Sequence, residues 1–165
     1  MQRSITEEVV VELPPAAAWQ RMSDLSKAHF YVPGVTDTRI DTPATRGVGA
    51  SRTVFLKGRE AMEETVTEWR EGSGFLLRLH RGGRPIAPFG RAEFSYSMMA
   101  LDSGRTRVRL ELRYRMDRWF LRLADSLFMR AVVRANLRRT AGNLRRYYET
   151  GLPVTPGAPH HGAGL

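Results

Sequence analysis

Residues 133–148 read VRANLRRTAGNLRRYY, and the apolar side chains in this stretch recur at every third or fourth position. They are Val133, Leu137, Ala141, Leu144 and Tyr148. Because about 3.6 residues make one helical turn, this spacing places them on one face of an α-helix. The pattern predicts a long helix within residues 118–149. It also predicts a kink or a separate short helix before Met129, since the apolar direction of residues 119–128 differs by roughly a quarter turn.

Upstream of this helix, apolar and polar residues alternate in short runs, which is typical of half-buried β-strands. The predicted strands cover residues 4–13, 36–41, 50–57, 60–69, 75–81, 91–101 and 106–116. Turn signals at Gly58-Arg59 and Asp102-Ser103-Gly104 predict antiparallel hairpins. Two short helices are predicted after the first strand, one starting at Pro15 and one capped near residues 23–26. The sequence therefore predicts an α+β fold, a curved antiparallel sheet of about seven strands wrapped around the C-terminal helix.

Length and composition limit the class of protein. A chain of 165 residues predicts a single domain, here residues 1–150, followed by a disordered tail at residues 151–165, which is rich in glycine and proline. The absence of cysteine excludes disulfide scaffolds, thiolate zinc sites and iron–sulfur clusters. No apolar run is long enough to span a bilayer, and residues 1–8 lack the apolar core of a signal peptide. We therefore expect a cytoplasmic protein.

The net charge of +9 is unevenly distributed. Residues 105–115 carry five arginines against one glutamate, and residues 118–149 carry eight arginines against two acidic residues. This excess has two interpretations, a compositional bias of the coding sequence, which we favour, or a face that docks on RNA, a ribosome or an anionic membrane. We expect Arg107, Arg109 and Arg113 on the convex side of the sheet. Four arginines should be exposed on the last helix, namely Arg138, Arg139, Arg145 and Arg146.

Several motifs, in order and spacing, resemble one known superfamily. They are VELPPAAAW at 11–19, SDL at 23–25, PGV at 33–35, GVGASR at 47–52, ETVTEW at 64–69, GRTRV at 104–108 and the helix at 137–149. Together they resemble the START-like, helix-grip (SRPBCC) superfamily, and within it the polyketide cyclase/dehydratase and lipid-transport branch. The resemblance covers about residues 5–151.

This resemblance implies a deep, mostly apolar cavity between the sheet and the long helix. Such a cavity would hold a lipid, polyketide, sterol-like or quinone-like molecule, and the chain would act as a carrier or as a cyclase/dehydratase-like enzyme. No residue matches a specific catalytic set, so whether the chain is an enzyme stays open and the catalytic residues stay unknown. The sequence predicts no cofactor and no metal, because it has neither a His-x-x-x-His spacing nor a glycine-rich phosphate loop.

Strand register predicts which side chains line this cavity. Pairing Lys57 with Glu60 places Phe55 opposite Met62 and turns both inwards with Glu64. A carboxylate in such a place is costly unless it is paired or protonated, which makes Glu64 a candidate for ligand binding or acid–base work. The candidate cavity residues are Trp19, Tyr31, Phe55, Met62, Glu64, Val66, Phe94, Tyr96, Met98, Leu110, Leu112, Tyr114, Leu137 and Ala141. They should surround a pocket of roughly 300 Å³ or more.

Four further residues are weaker candidates. Arg130 and Arg134 lie close to the apolar stripe of the last helix, where a guanidinium could anchor a ligand carboxylate or phosphate at the cavity opening. The alternative, which we favour, is that both side chains extend into solvent from the edge of the stripe. His29 and His80 have no placed carboxylate or serine partner in the sequence, so a structural role is favoured for both.

Overall fold

The computed structural model describes residues 2–87, 89–116 and 130–154, and these form one antiparallel sheet with helices on its concave side. The strands are β1 (Gln2–Val11), β2 (Val35–Ile40), β3 (Ser51–Leu56), β4 (Met62–Arg70), β5 (Gly74–Arg81), β6 (Arg84–Pro85), β7 (Phe89–Ala100) and β8 (Thr106–Met116). The α-helices are α1 (Pro15–Met22), α2 (Ala28–Tyr31) and α3 (Arg130–Thr150). The order of the strands in the sheet is β1-β8-β7-β5-β4-β3-β2, with β6 pairing β5.

The two short helices after β1 form where local chemistry favours them. Pro15 opens α1 at a first-turn position, where its missing N–H is not needed. Asp24 caps a 3-10 turn at Leu25–Lys27, and its Oδ1 accepts hydrogen bonds from the Ser26 N–H at 3.1 Å and the Ser26 hydroxyl at 2.6 Å. The chain then runs through α2 into β2, as the sequence predicts.

The core lies between the concave face of the sheet and α3. Ile5, Leu77 and Leu110 are buried on the sheet side, and four residues of α3 that share the predicted apolar face are buried opposite them. These are Leu137, Ala141, Leu144 and Tyr148. The predicted α+β architecture, with a sheet that wraps a long C-terminal helix, is thereby confirmed. The predicted kink before Met129 lies outside the described residues.

The end of the described chain packs against the helices. The Val154 N–H donates to the Phe30 carbonyl at 2.8 Å, and the Val154 side chain contacts the core. Residues 151–154 are therefore held against α2. The rest of the predicted tail, residues 155–165, lies outside the described residues, and the predicted domain boundary stays a prediction.

The predicted register between β3 and β4 is wrong by one residue. Val54 pairs with Met62 and Arg52 pairs with Glu64, because five residues, 57–61, connect the two strands instead of a two-residue turn. A one-residue shift moves every side chain of a strand to the opposite face. Phe55 therefore lies on the convex face, where the Arg39 guanidinium covers its ring at 5.5 Å, and it is not a cavity residue.

Gly74 permits the close approach of β5 and β7. Its φ of +148° is a backbone conformation that side-chain-bearing residues rarely adopt. A Cβ atom at this position would lie 2.8 Å from the Ser97 Cα and closer still to the Tyr96 carbonyl oxygen. Both contacts are with backbone, which cannot move aside without disturbing the β5–β7 ladder.

Gly74→Ala should therefore lower the free energy of unfolding by about 3 kcal/mol or more, because it adds a backbone clash to a strained φ. Gly72→Ala is the matched control, since Gly72 also has a positive φ, +73°, but faces open space. It should cost only about 1–2 kcal/mol. Urea denaturation of both variants measures the difference, and equal losses would contradict the close-packing argument.

Candidate ligand-binding site

The concave face and the helices bring together the predicted cavity residues other than Phe55. Trp19, Tyr31, Val66, Tyr96, Leu110, Tyr114, Leu137 and Ala141 are buried in one apolar cluster, against which Met62, Phe94, Met98 and Leu112 pack. Glu64, also buried, lies on β4 between Met62 and Val66 on the same face. The alternation within β4, β7 and β8 therefore predicts their inward faces correctly.

Part of this apolar face is still accessible to solvent. Phe94 and Leu112 are cross-strand partners and are only half-buried, as is Met98. Leu110 and Val108, which lie on the same face of β8 as Leu112, are fully buried. The middle of β7 and β8 is thus less tightly covered than its surroundings, which is where an apolar ligand would find a wall. The volume of the predicted cavity stays a prediction.

A buried ion pair crosses from β3 to β4 within this face. The Arg52 side chain is 2% exposed, and its Nε and one terminal nitrogen each lie 2.6 Å from Glu64 Oε2. Its other terminal nitrogen donates to the Leu25 carbonyl at 2.7 Å. Burial by itself would lower the pKa of Arg52, but the Glu64 carboxylate outweighs burial and holds that pKa above its usual range.

Three tyrosine hydroxyls lie around this pair. The Tyr31 hydroxyl donates to the Tyr96 oxygen at 3.2 Å, and the nearby Arg52 cation lowers the pKa of Tyr96 against the larger effect of burial. The Tyr148 hydroxyl, buried in α3, has no hydrogen-bond partner among the described residues. Burial raises the pKa of all three tyrosines, so each hydroxyl keeps its proton at neutral pH. The site therefore combines an apolar wall with neutral hydrogen-bond donors.

Sequence reasoning missed two members of this cluster. Arg52 was lost through the register error, because a guanidinium directly opposite an inward carboxylate is visible only when Arg52 pairs with Glu64. Tyr148 was recognised as part of the apolar helix face but not as a polar group. The signal that could have found Arg52 is the requirement, stated for Glu64, that a buried carboxylate must have a partner.

Trp19 joins α1 to the β4–β5 turn. Its indole N–H donates to Glu71 Oε1 at 2.7 Å, and the Trp69 indole N–H donates to Glu71 Oε2 at the same distance. The two indole rings meet edge to face, with centroids 5.2 Å apart. Hydrogen bonds from Trp69 and Trp19 hold the pKa of Glu71 below its usual range. Trp19 thus covers one end of the apolar face, where Glu71 and Trp69 hold its side chain in place.

The weaker candidates lie away from the cluster. Arg130 and Arg134 are exposed in the first turns of α3, and their role as anion anchors stays a prediction. His29 is half-buried, its Nδ1 lies 3.0 Å from Thr38 Oγ1, and burial lowers its pKa. His80 lies on the convex face, with Nε2 2.7 Å from Thr65 Oγ1 and Nδ1 3.2 Å from a Glu63 carboxylate oxygen.

A groove of about 480 Å³ opens on the convex face, between β5 and β7. Its polar lining includes Arg78, His80, Arg91, Glu93 and Arg115, and Glu93 accepts a hydrogen bond from Arg91 Nε at 2.9 Å. Charged walls of this kind do not suit an apolar molecule. The groove is therefore distinct from the predicted cavity, which belongs to the concave face.

No three histidine, aspartate or glutamate side chains within residues 2–87, 89–116 and 130–154 are grouped closely enough to hold a metal ion. None of the helices in these ranges combines the length and the apolar character needed to cross a bilayer.

The ion pair at Arg52 should show its coupling in a double-mutant cycle. Arg52→Met leaves the Glu64 carboxylate buried without its cation, so we expect the free energy of unfolding to fall by about 3–5 kcal/mol. Glu64→Leu should cost a similar amount. The double variant, which buries neither charge, should recover most of the loss. Urea denaturation of the four proteins checks this, and additive losses would show that the two side chains act independently.

Three solved structures illustrate what the fold is similar to. Norcoclaurine synthase from Thalictrum flavum, in complex with dopamine and hydroxybenzaldehyde, is 13% identical, with 88% of this chain and 86% of that chain covered and a TM-score of 0.65. The Zhui aromatase/cyclase from Streptomyces sp. R1128 is 16% identical, with 92% and 98% covered and a TM-score of 0.62. Ara h 8.0201 is 12% identical, with 87% and 98% covered and a TM-score of 0.59.

At such low identity these likenesses concern the fold alone. No curated protein matches the chain in sequence. The sequence model of one protein family, however, matches residues 2–149, which include the whole sheet and nearly all of α3. Together with the observed sheet that wraps a long helix, this match places the chain in the polyketide cyclase / dehydrase and lipid transport family of the helix-grip superfamily.

Proposed function

We propose that the chain binds one small lipophilic molecule with at least one polar oxygen, between the concave face of the sheet and α3. A lipid, a polyketide or a quinone-like molecule has this character. The observation that carries the proposal is the Tyr148 hydroxyl, which is buried in an apolar wall without a partner among the described residues. A buried hydroxyl without a hydrogen bond costs free energy, so the site would favour a ligand with an oxygen that accepts a hydrogen bond from Tyr148.

Tyr96 offers a second donor to the same ligand. Its oxygen accepts a hydrogen bond from the Tyr31 hydroxyl, so the Tyr96 hydroxyl can itself donate to another acceptor. Tyr148 and Tyr96 belong to the same buried cluster, and Tyr31 contacts both, the Tyr148 ring at a centroid distance of 6.4 Å and the Tyr96 hydroxyl at 3.2 Å. A carbonyl or phenolic oxygen could accept from both hydroxyls, while the remaining ligand skeleton lies against Phe94, Met98 and Leu112.

We favour binding and carriage over catalysis. Glu64, the carboxylate of the cluster, already accepts two hydrogen bonds from Arg52. The tyrosine hydroxyls have raised pKa values, whereas a general acid or base works best with a pKa near the working pH. The alternative within the family is a cyclase/dehydratase-like reaction in which Arg52 and the tyrosines stabilise an enolate. The cytoplasmic location stays a prediction.

Two measurements test the proposal. Native mass spectrometry of the purified chain should reveal a co-purified small molecule at one copy per chain, and N-phenylnaphthylamine, an uncharged fluorescent probe, should bind and be displaced by it. Recovery of the molecule unchanged after incubation supports carriage, and its conversion supports the cyclase alternative. If the probe finds no saturable site and no molecule co-purifies, the proposal is overturned.

Tyr148→Phe tests the role of the unpartnered hydroxyl. Menadione and methylnaphthalene share a ring skeleton, but only menadione has oxygens, and the chain has no cysteine for it to alkylate. We expect Tyr148→Phe to weaken menadione binding by about three- to tenfold, because one hydrogen bond is lost, and to leave methylnaphthalene binding unchanged. Displacement of N-phenylnaphthylamine measures both affinities.

Tyr147→Phe is the control, since the Tyr147 ring also packs on Tyr31 but its hydroxyl is not a buried group without a partner. It should change neither affinity. Equal losses of menadione affinity in the two variants would contradict a specific role for Tyr148. The free energy of unfolding of Tyr148→Phe should not fall, because the lost hydroxyl makes no hydrogen bond with the described residues.

A further inference from the structure

The two arginine-rich parts of the sequence differ in how their charge is neutralised. On the convex face, Arg107 and Arg109 both lie within 4 Å of Glu8, at 3.8 and 3.9 Å, and Arg113 pairs with Glu111 at 2.8 Å. At the end of the preceding turn, Arg105 pairs with Asp102. Arg107, Arg109 and Arg113 are on the convex side of the sheet as predicted, but each of them forms an ion pair with a neighbouring carboxylate.

The arginines of α3 are arranged differently. Six of them are exposed along its length and form what we call the α3 arginine face, namely Arg130, Arg134, Arg138, Arg139, Arg145 and Arg146. Arg145 pairs with Glu149 at 3.1 Å, and Arg138 lies 3.8 Å from Glu7. The other four have no ion pair within the described ranges. Glu149 is the only acidic residue of the helix, so the face keeps a strong positive charge.

We propose that the α3 arginine face docks on the phosphate headgroups of an anionic lipid bilayer. A guanidinium donates hydrogen bonds to phosphate oxygens in a favourable geometry, and each basic side chain close to an anionic membrane contributes about 1 kcal/mol to binding. The arginines run along the helix from Arg130 to Arg146, so their charges extend over roughly 24 Å, which suits a broad planar surface.

Three observations favour a bilayer over RNA. The tyrosines of α3, Tyr147 and Tyr148, are buried, so α3 offers no exposed aromatic ring on which a base could stack. Three of the exposed residues between its arginines are small, Ala131, Ala135 and Gly142, and they allow the helix to approach a flat surface closely. Val132 and Leu152, near the two ends of the helix, are 49% and 66% exposed and can enter the headgroup region.

The proposal does not depend on the ligand proposed for the concave face. The two proposals use different side chains of α3, because Tyr148, Leu144 and Ala141 are buried in the core whereas the six arginines of the face are exposed. A failure of membrane docking would leave the ligand-binding proposal intact, and the reverse also holds.

The test compares the full chain with two variants of equal charge. The first replaces the four residues of the face that have no ion pair with the described residues, Arg130, Arg134, Arg139 and Arg146, with glutamine. The control replaces four exposed cations of the sheet and its turns, Lys57, Arg59, Arg78 and Arg84, with glutamine. Each protein is mixed with vesicles of phosphatidylcholine alone or of phosphatidylcholine with phosphatidylglycerol, and bound protein is recovered by flotation.

We expect the unmodified chain to float with the anionic vesicles and not with pure phosphatidylcholine. The α3 variant should bind the anionic vesicles at least about tenfold more weakly, whereas the control variant should bind as the unmodified chain does. Binding should weaken as salt rises, since the screening length falls from about 10 Å at 0.1 M to about 3 Å at 1 M.

Three outcomes would overturn the proposal. The first is no flotation of the unmodified chain, and the second is an equal loss in both variants, which would show that net charge alone causes binding. The third is retention of a single-stranded RNA oligonucleotide in place of the vesicles, with loss of that retention in the α3 variant. Circular dichroism of both variants establishes that a loss does not come from unfolding.

Discussion

A guanidinium inside an apolar core needs an acceptor for its N–H groups, and much of this structure is arranged around that need at Arg52. Glu64 on β4 supplies a carboxylate, and Leu25 supplies a backbone carbonyl from the turn after α1. One side chain therefore joins β3 to its neighbour β4 and to the helical segment through polar contacts. Because these contacts are directional, they specify a relative position that apolar packing alone would leave free to slide.

The sequence predicts the inward faces of most strands because the alternation of side chains depends on each strand alone. Tyr96, Leu110 and Tyr114 follow this rule, and α3 follows the corresponding helical rule. Register is a different matter, since it depends on how many residues the connection uses. The glycine at position 58 suggests a two-residue turn, but the chain uses five, and Phe55 moves to the convex face. The two-residue strand β6 carries too short a pattern to be predicted.

The apolar part of the candidate site was predictable from the sequence, but only some of its polar residues were. The expectation that Glu64 is buried and needs a partner is confirmed, but the partner depends on register and escaped detection. A similar limit applies to charge. Counting arginines treats β8 and α3 alike, whereas the structure places carboxylates beside Arg107 and Arg113 and none beside Arg139 within the described residues. Only three-dimensional neighbours distinguish neutralised charge from available charge.

The pair of tryptophans bonded to Glu71 gives this protein an optical property. Trp19 and Trp69 are in edge-to-face contact, Trp69 stacks on Phe75 with centroids 5.4 Å apart, and Phe75 stacks on Tyr96 at 4.9 Å. This row of rings leads from the end of the sheet to the tyrosine cluster. Chromophores so close, held in a fixed chiral arrangement, couple their electronic transitions and quench or transfer excitation over a few ångströms. We therefore expect a ligand that moves the Tyr96 ring to alter this row of contacts and with it the emission of Trp19 and Trp69.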